Sequence, residues 1–243
     1  METLSKRIVL DIGHGSDTYP PSKGIGSFAE HSFNAAVGIK AKELAEYNGF
    51  EVLFSQQPNK PDVPLGQRSA WINAEHRKSP ILCVLSIHAN AGGGNPSGHD
   101  VFYWHTSNNG KILAQIWNRW ANKILPVPQH GPGVWASKPG NYNFHILRET
   151  APVAILAEHF YYSNTGELKV GNTPEFAAKA AEVAVKTICE YAGVTYKEPA
   201  QMPSGGGNKI YRVQVGAFQD RKNAEKMEQR LKADGYQTII KEG

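Results

Sequence analysis

The sequence predicts an α/β fold: a mostly parallel β-sheet with helices on both faces, plus a small βαβ tail. Three observations predict it. Strand-like and helix-like patterns alternate from residue 8 to residue 193, the signature of a sheet built from crossover units. Two apolar runs, Ile81–Ile87 and Val153–Ala157, lack the polar alternation of a half-solvated strand, so they read as strands buried on both faces. A composition break follows, KEPAQMPSGGGN over residues 197–208, rich in Pro, Gly and Ser and readable as a flexible linker. The expected organisation is a main domain over 1–196, a linker over 197–208 and a tail over 209–243. A chain of 243 residues can bury one good-sized core and carry such an appendage.

The elements follow in order. Ile8-Val9-Leu10 opens the first strand. A helix follows with Phe33, Val37, Leu44 and Tyr47 on one stripe and Gly49 as its stop. A strand over 51–55, a short helix near 65–76 and the buried strand 81–87 come next. The Gly-rich stretch 91–98 reads as a loop and 100–104 as a strand. A helix over about 109–125 places Leu113, Ile116, Trp117, Trp120 and Ile124 on one face. Residues 126–143 read as loop, and a short strand is expected before Val153. The last helix has Thr173 as N-cap, Pro174 in its first turn and Gly193 at its end.

Bulk properties narrow the function. The net charge of +4 comes with no Lys/Arg block, so nucleic acid is not expected as a partner. No apolar run approaches the roughly 20 residues that span a bilayer, so no membrane insertion is expected. The apolar stretch from Ile8 ends too early, at Asp11, for a signal-peptide core. Synthesis in the cytoplasm without a signal peptide is therefore expected. Cys83 and Cys189 lie in apolar segments and read as buried free thiols.

Three strands end on chemistry-bearing residues. The first runs into His14, the third into His88, and Val153–Ala157 into Glu158. Parallel sheets bind ligands beyond their C-terminal strand ends, so these residues are expected on one rim although they are far apart in sequence. Glu30, at the start of the first long helix with Asn34 one turn on, is the natural fourth member. A helix-start carboxylate complementing the helix dipole is its other reading. Two His and one carboxylate form a catalytic zinc set with a position left open. A further carboxylate off the metal can move the proton from water to leaving amine. His14, Glu30 and His88 fit the first role and Glu158 the second. Asp11 reads either as a residue that orients a ligand or as a plain strand-end Asp. Asn90, Trp135 and Tyr142 are candidates for lining a substrate groove, and His31, His76, His99, His105, His130 and His145 read as surface or structural.

Taken together, the motifs resemble the zinc-dependent N-acetylmuramoyl-L-alanine amidases. The matching pieces are Asp11-Ile-Gly-His14-Gly, Glu30 with Asn34, Leu65-Gly-Gln-Arg68 with Asn73, Ser86-Ile-His88-Ala-Asn90, and Ile155-Leu-Ala-Glu158-His-Phe160 with Ser163-Asn164, over roughly residues 7–192. The resemblance implies one zinc ion on His14, Glu30 and His88, Glu158 as catalytic carboxylate, a twisted sheet, and cleavage between the lactyl group of N-acetylmuramic acid and L-alanine in peptidoglycan. One departure stands out: His159 occupies a position where the family usually has a small residue. A bulky neighbour there would shift Glu158 or narrow the cleft.

Residues 209–243 read strand, helix, strand, with Asp220 as cap, Ala224, Met227 and Leu231 on one helix face and Gly235 as stop. Tyr211-Arg-Val-Gln-Val-Gly-Ala-Phe218 with Asn223-Ala-Glu225 resembles one βαβ half of a SPOR peptidoglycan-binding module. Two tails pairing into one module imply a homodimer. Such an enzyme would act on the wall after release by lysis or through a phage pore. The rival functions are a zinc peptidase cutting within the stem peptide and a non-catalytic wall-binding protein.

Overall fold

A computed structural model describes residues 5–199, 216–233, 238 and 240. Strands and helices alternate as β1 Arg7–Ile12, β2 Gly24–Ile25, β3 Phe28–Ala29, α1 Glu30–Tyr47, β4 Glu51–Phe54, α2 Leu65–Lys78 and β5 Cys83–Asn90. Then come β6 His99–Trp104, α3 Asn108–Ile124, β7 Gln129–Ser137, α4 His145–Glu149, β8 Ala154–Tyr161, α5 Thr165–Gly171 and α6 Pro174–Tyr191. These belong to one compact unit ending at Pro199.

Six strands form one sheet in the order β4-β1-β5-β8-β6-β7. Every pairing is parallel except β6 with β8, which is antiparallel. That reversal brings the start of β6 to the rim where β8 ends. Both faces are covered. On one, α1, α3 and α6 bury Val37, Ala41, Leu113, Trp117, Phe176 and Ala180 against Ile8, Leu10, Leu85 and Ile155. On the other, Ile72 of α2 and Ile146 and Leu147 of α4 pack against Val9, Val84, Phe102 and Leu156. The α/β sheet with helices on both faces is therefore the observed architecture.

Local chemistry explains the helix starts. Ser107 accepts from the Gly110 N–H at 3.0 Å and Thr173 from the Phe176 N–H at 3.2 Å, each satisfying a donor that helix geometry leaves open. Both cysteines are buried and free. Among the described residues no helix is long and apolar enough to cross a membrane.

Two expectations fail locally. Residues 129–137, within the stretch read as loop, form β7. The sequence Gly131-Pro132-Gly133 disguises it, and Pro is tolerated because β7 is an edge strand. The short strand expected before Val153 is the helix α4. The hairpin β2–β3 and helix α5 were not anticipated.

The second unit begins at residue 200. Its described helix, α7 Arg221–Ala233, starts where Asp220 Oδ1 accepts from the Lys222 N–H at 2.8 Å. Ala224, Met227 and Leu231 are half-buried along it. The two strands expected in the tail, and the linker from residue 200 on, lie outside the described residues except for Gly216, Thr238 and Ile240.

Candidate metal centre and active site

β1 ends at Ile12, and its continuation is pinned before it reaches His14. Gly13 N–H donates to Ile87 O at 3.0 Å, and Gly13 O accepts from Asn34 Nδ2 at 3.2 Å and pairs with His31 Nδ1 at 3.1 Å. Gly13 must be glycine: a Cβ there would lie 2.4 Å from the His88 ring. His14 itself has φ 62, a left-handed backbone that non-glycine residues rarely hold without support. Arg68 supplies the support. Its guanidinium donates to Ile12 O at 2.7 Å, His14 O at 3.1 Å, Asp11 Oδ1 at 3.0 Å and Asp62 Oδ1 at 2.6 Å.

Glu30 is the first residue of α1, and no side chain caps that helix. Its carboxylate reaches across to the strand ends instead. Oε2 lies 3.1 Å from His14 Nε2, and Oε1 lies 3.0 Å from His88 Nδ1. The Ala89 N–H adds a contact to Oε1 at 3.2 Å. The two imidazoles meet edge to face, with centroids 5.0 Å apart. One ligand atom from each of His14, Glu30 and His88 lies within 4.8 Å of the others. Two imidazole nitrogens with one carboxylate oxygen suit zinc.

His88 lies inside β5 and Glu158 inside β8, in direct register. The strands continue past them rather than stopping just before them. Glu158 is buried, and its Oε2 has no hydrogen-bond partner among the described residues. A buried carboxylate oxygen without a donor is costly. The residues thus fit a metal with an associated water that Glu158 could hold.

The charges are strongly perturbed. Burial pushes Glu158 up to about 8, with the Glu30 charge adding to it and His88 opposing. Burial would also raise Glu30, but the bonds from His14 and His88 outweigh it and hold its carboxyl down to about 2. His14 is lowered by burial, whereas at His88 burial is outweighed by the Glu30 bond together with the charges of Glu158, Glu30 and Asp11, and the imidazole is raised.

The other sequence-predicted residues fall into two places. The Asp11 carboxylate accepts from Ser55 Oγ at 2.5 Å, Ser86 Oγ at 2.6 Å and Arg68. Its bonds tie β1 to β4, β5 and α2, and none goes to His14, Glu30 or His88. Asn90, Trp135 and Tyr142 line one pocket, together with Asp100, His130 and Tyr161. Sequence reasoning missed these last three, because neither the direction of β6 nor the strand β7 shows in the sequence. His159 turns to the opposite face of the sheet. Its ring packs against Phe33 and Trp117, and Nδ1 pairs with His88 O at 2.9 Å. It does not narrow the cleft, because neighbouring residues on a strand face opposite sides.

Comparison with known proteins agrees with this geometry. The family described as N-acetylmuramoyl-L-alanine amidase matches residues 8–190, and the SPOR domain matches residues 206–243. The chain is 26% identical over 235 residues to the N-acetylmuramoyl-L-alanine amidase CwlM of Bacillus licheniformis, covering 96% of this chain and 84% of that protein. It is 24% identical over 242 residues to the sporulation-specific N-acetylmuramoyl-L-alanine amidase of Bacillus subtilis strain 168, with the same coverage of 96% and 84%. Among solved structures, the catalytic domain of CwlV, the N-acetylmuramoyl-L-alanine amidase of Bacillus (Paenibacillus) polymyxa var. colistinus, is 27% identical with a TM-score of 0.66, covering 78% of this chain and 99% of that one.

Proposed function

The chain belongs to the N-acetylmuramoyl-L-alanine amidase family, and from that premise we propose that it hydrolyses the muramoyl–L-alanine amide of peptidoglycan at a zinc ion held by His14, Glu30 and His88. The observation that carries the reading is the convergence of those three side chains beside the unpartnered Oε2 of Glu158. Bound zinc supplies Lewis acidity and a water of lowered pKa. Glu158 takes the proton of the attacking water and delivers it to the amine of L-alanine as the C–N bond breaks. Burial raises the Glu158 carboxyl and favours holding that proton, while a zinc ion beside it would favour the ionised form that accepts the proton first. Glu30 keeps its charge between two histidines, and Arg68 holds the backbone from which His14 projects.

The proposal extends to the tail. Residues 209–243, after a linker over 197–208, would bind glycan, keeping the 1–196 catalytic domain on its insoluble substrate. Two tails would complete each other's sheet in a homodimer. Action on the wall would follow release by lysis or through a phage pore.

Mass spectrometry of digested, purified wall tests the reaction. Free peptides that begin with L-alanine, beside uncut glycan, are expected. Cuts inside the stem peptide would mark a peptidase, and an undigested wall a binding protein.

A further inference from the structure

The pairing of β5 with β8 slips beside the metal centre. His88 stands opposite Glu158 and Asn90 opposite Tyr161, so the single residue Ala89 faces two, His159 and Phe160. A bulge of this kind interrupts the ladder and re-aims side chains. Here the peptide group between His88 and Ala89 is bonded at both ends by side chains. His159 Nδ1–H donates to His88 O at 2.9 Å, since a carbonyl can only accept. Ala89 N–H donates to Glu30 Oε1 at 3.2 Å, the same oxygen that lies 3.0 Å from His88 Nδ1.

That bond is what a histidine brings to position 159. The ring sits between Phe33 and Trp117, with centroids 5.6 and 5.4 Å away and interplanar angles of 68° and 82°. An aliphatic side chain of similar volume would suit such walls. His159 is 1% exposed, and its Nε2 is buried with no hydrogen-bond partner among the described residues. Burying that nitrogen unpaired is unfavourable, and an aliphatic residue would avoid it. What the aliphatic residue would lose is the hold on the His88 carbonyl. Helix α1 serves both ends of the peptide. Glu30 and Phe33 are three residues apart and share a helix face; one takes the Ala89 N–H, and the other walls the imidazole that takes the His88 carbonyl. The peptide plane is thus fixed from two sides, and with it the Cα from which the His88 ring projects.

Resting on the zinc reading above, we propose that His159 is a positioning residue of the metal centre: by pinning the 88–89 peptide against Glu30, it holds the His88 imidazole in place for zinc. Without that bond the peptide can turn, and His88 leaves the ligand set more easily.

The test measures the zinc affinity of the full chain by competition with a chromophoric chelator, with the visible absorption of the cobalt(II)-substituted protein as a second readout. His159→Leu fills the space without a donor, and His159→Asn places an amide N–H near the position of Nδ1. His159→Leu should bind zinc about 10–100-fold more weakly, the usual effect of losing a group that orients a ligand, with an altered cobalt spectrum. His159→Asn should recover most of the affinity and the wild-type spectrum. Wild-type affinity in His159→Leu, or an Asn variant as weak as the Leu variant, overturns the proposal and leaves the zinc reading standing. Where His159→Leu does not fold, the wild type decides: long-range ¹H–¹⁵N NMR, assigned against His159→Asn, should show the Nδ1–H tautomer of His159, and an Nε2–H tautomer overturns the proposal. A wild type that binds no zinc overturns the zinc reading as well.

Discussion

At the scale of single residues, two buried groups divide the work of the centre. In the proposed mechanism Glu158 handles protons, so Glu158→Ala should retain zinc and lose roughly 10²–10⁴-fold in rate; near-full turnover by that variant would remove it from the mechanism. Arg68 handles geometry. It is 1% exposed and ties Asp11, Asp62 and the backbone of Ile12 and His14 together. Arg68→Ala breaks a buried ion pair, a loss of about 3–5 kcal/mol, and frees a strained His14. Zinc affinity should fall about 10–100-fold, the usual effect of losing a group that orients a ligand. Titration calorimetry of the folded variant checks this, and wild-type affinity would contradict it. His14, His88 and Glu158 were legible in the sequence because apolar strands lead straight into them. Glu30 was legible only with the chemistry of the donor set in view, since a first-turn carboxylate has an ordinary explanation. Asp100, His130 and Tyr161 were not legible, because three strands bring them together and one of those strands was hidden.

Among the elements, that hidden strand is β7. Its Gly-Pro-Gly stretch has loop composition, and only pairing with Val101–Trp104 extends it. The antiparallel turn of β6 was equally unreadable, since an apolar run carries no direction. Helix α3 was read well because its apolar stripe repeats at helical spacing. Trp117 is the centre of that stripe, fully buried with its ring against His99 and His159. Trp117→Ala should cost about 3–5 kcal/mol, measurable by urea unfolding of the folded domain. A loss below about 1 kcal/mol would mean that α3 is not anchored there.

For the whole molecule, the division at Pro199 makes truncation informative. A chain ending at Pro199 should fold, cleave soluble glycopeptide and bind intact wall less tightly, as a pull-down with purified wall would register. Sedimentation of both forms tests pairing through the tail: a dimer that becomes monomeric on truncation is expected, and a full chain that stays monomeric at high concentration contradicts it. Two buried imidazoles make the metal-free catalytic domain sensitive to acid. Burial lowers His99 and pushes His159 down to about 4. The unfolded chain binds their protons first, below pH of about 6.5, so stability is full above that value and falls as pH drops toward 4. His88, which is raised, and Glu158, pushed up to about 8 by burial, work in the opposite sense. Asp11, lowered because Arg68 and two hydroxyls overcome burial, keeps its contribution until the pH falls below about 3.8. The thermal midpoint should fall less between pH 7 and pH 4 in His159→Gln than in the wild type, and identical profiles would contradict the burial of that imidazole. The central claim, hydrolysis of the wall at a zinc ion on His14, Glu30 and His88, meets its most direct test in a wall-clearing assay with a chelator and metal add-back. Clearing should stop on chelation, return with zinc, and fail to return in His88→Ala; clearing that persists in protein shown to hold no metal would contradict it.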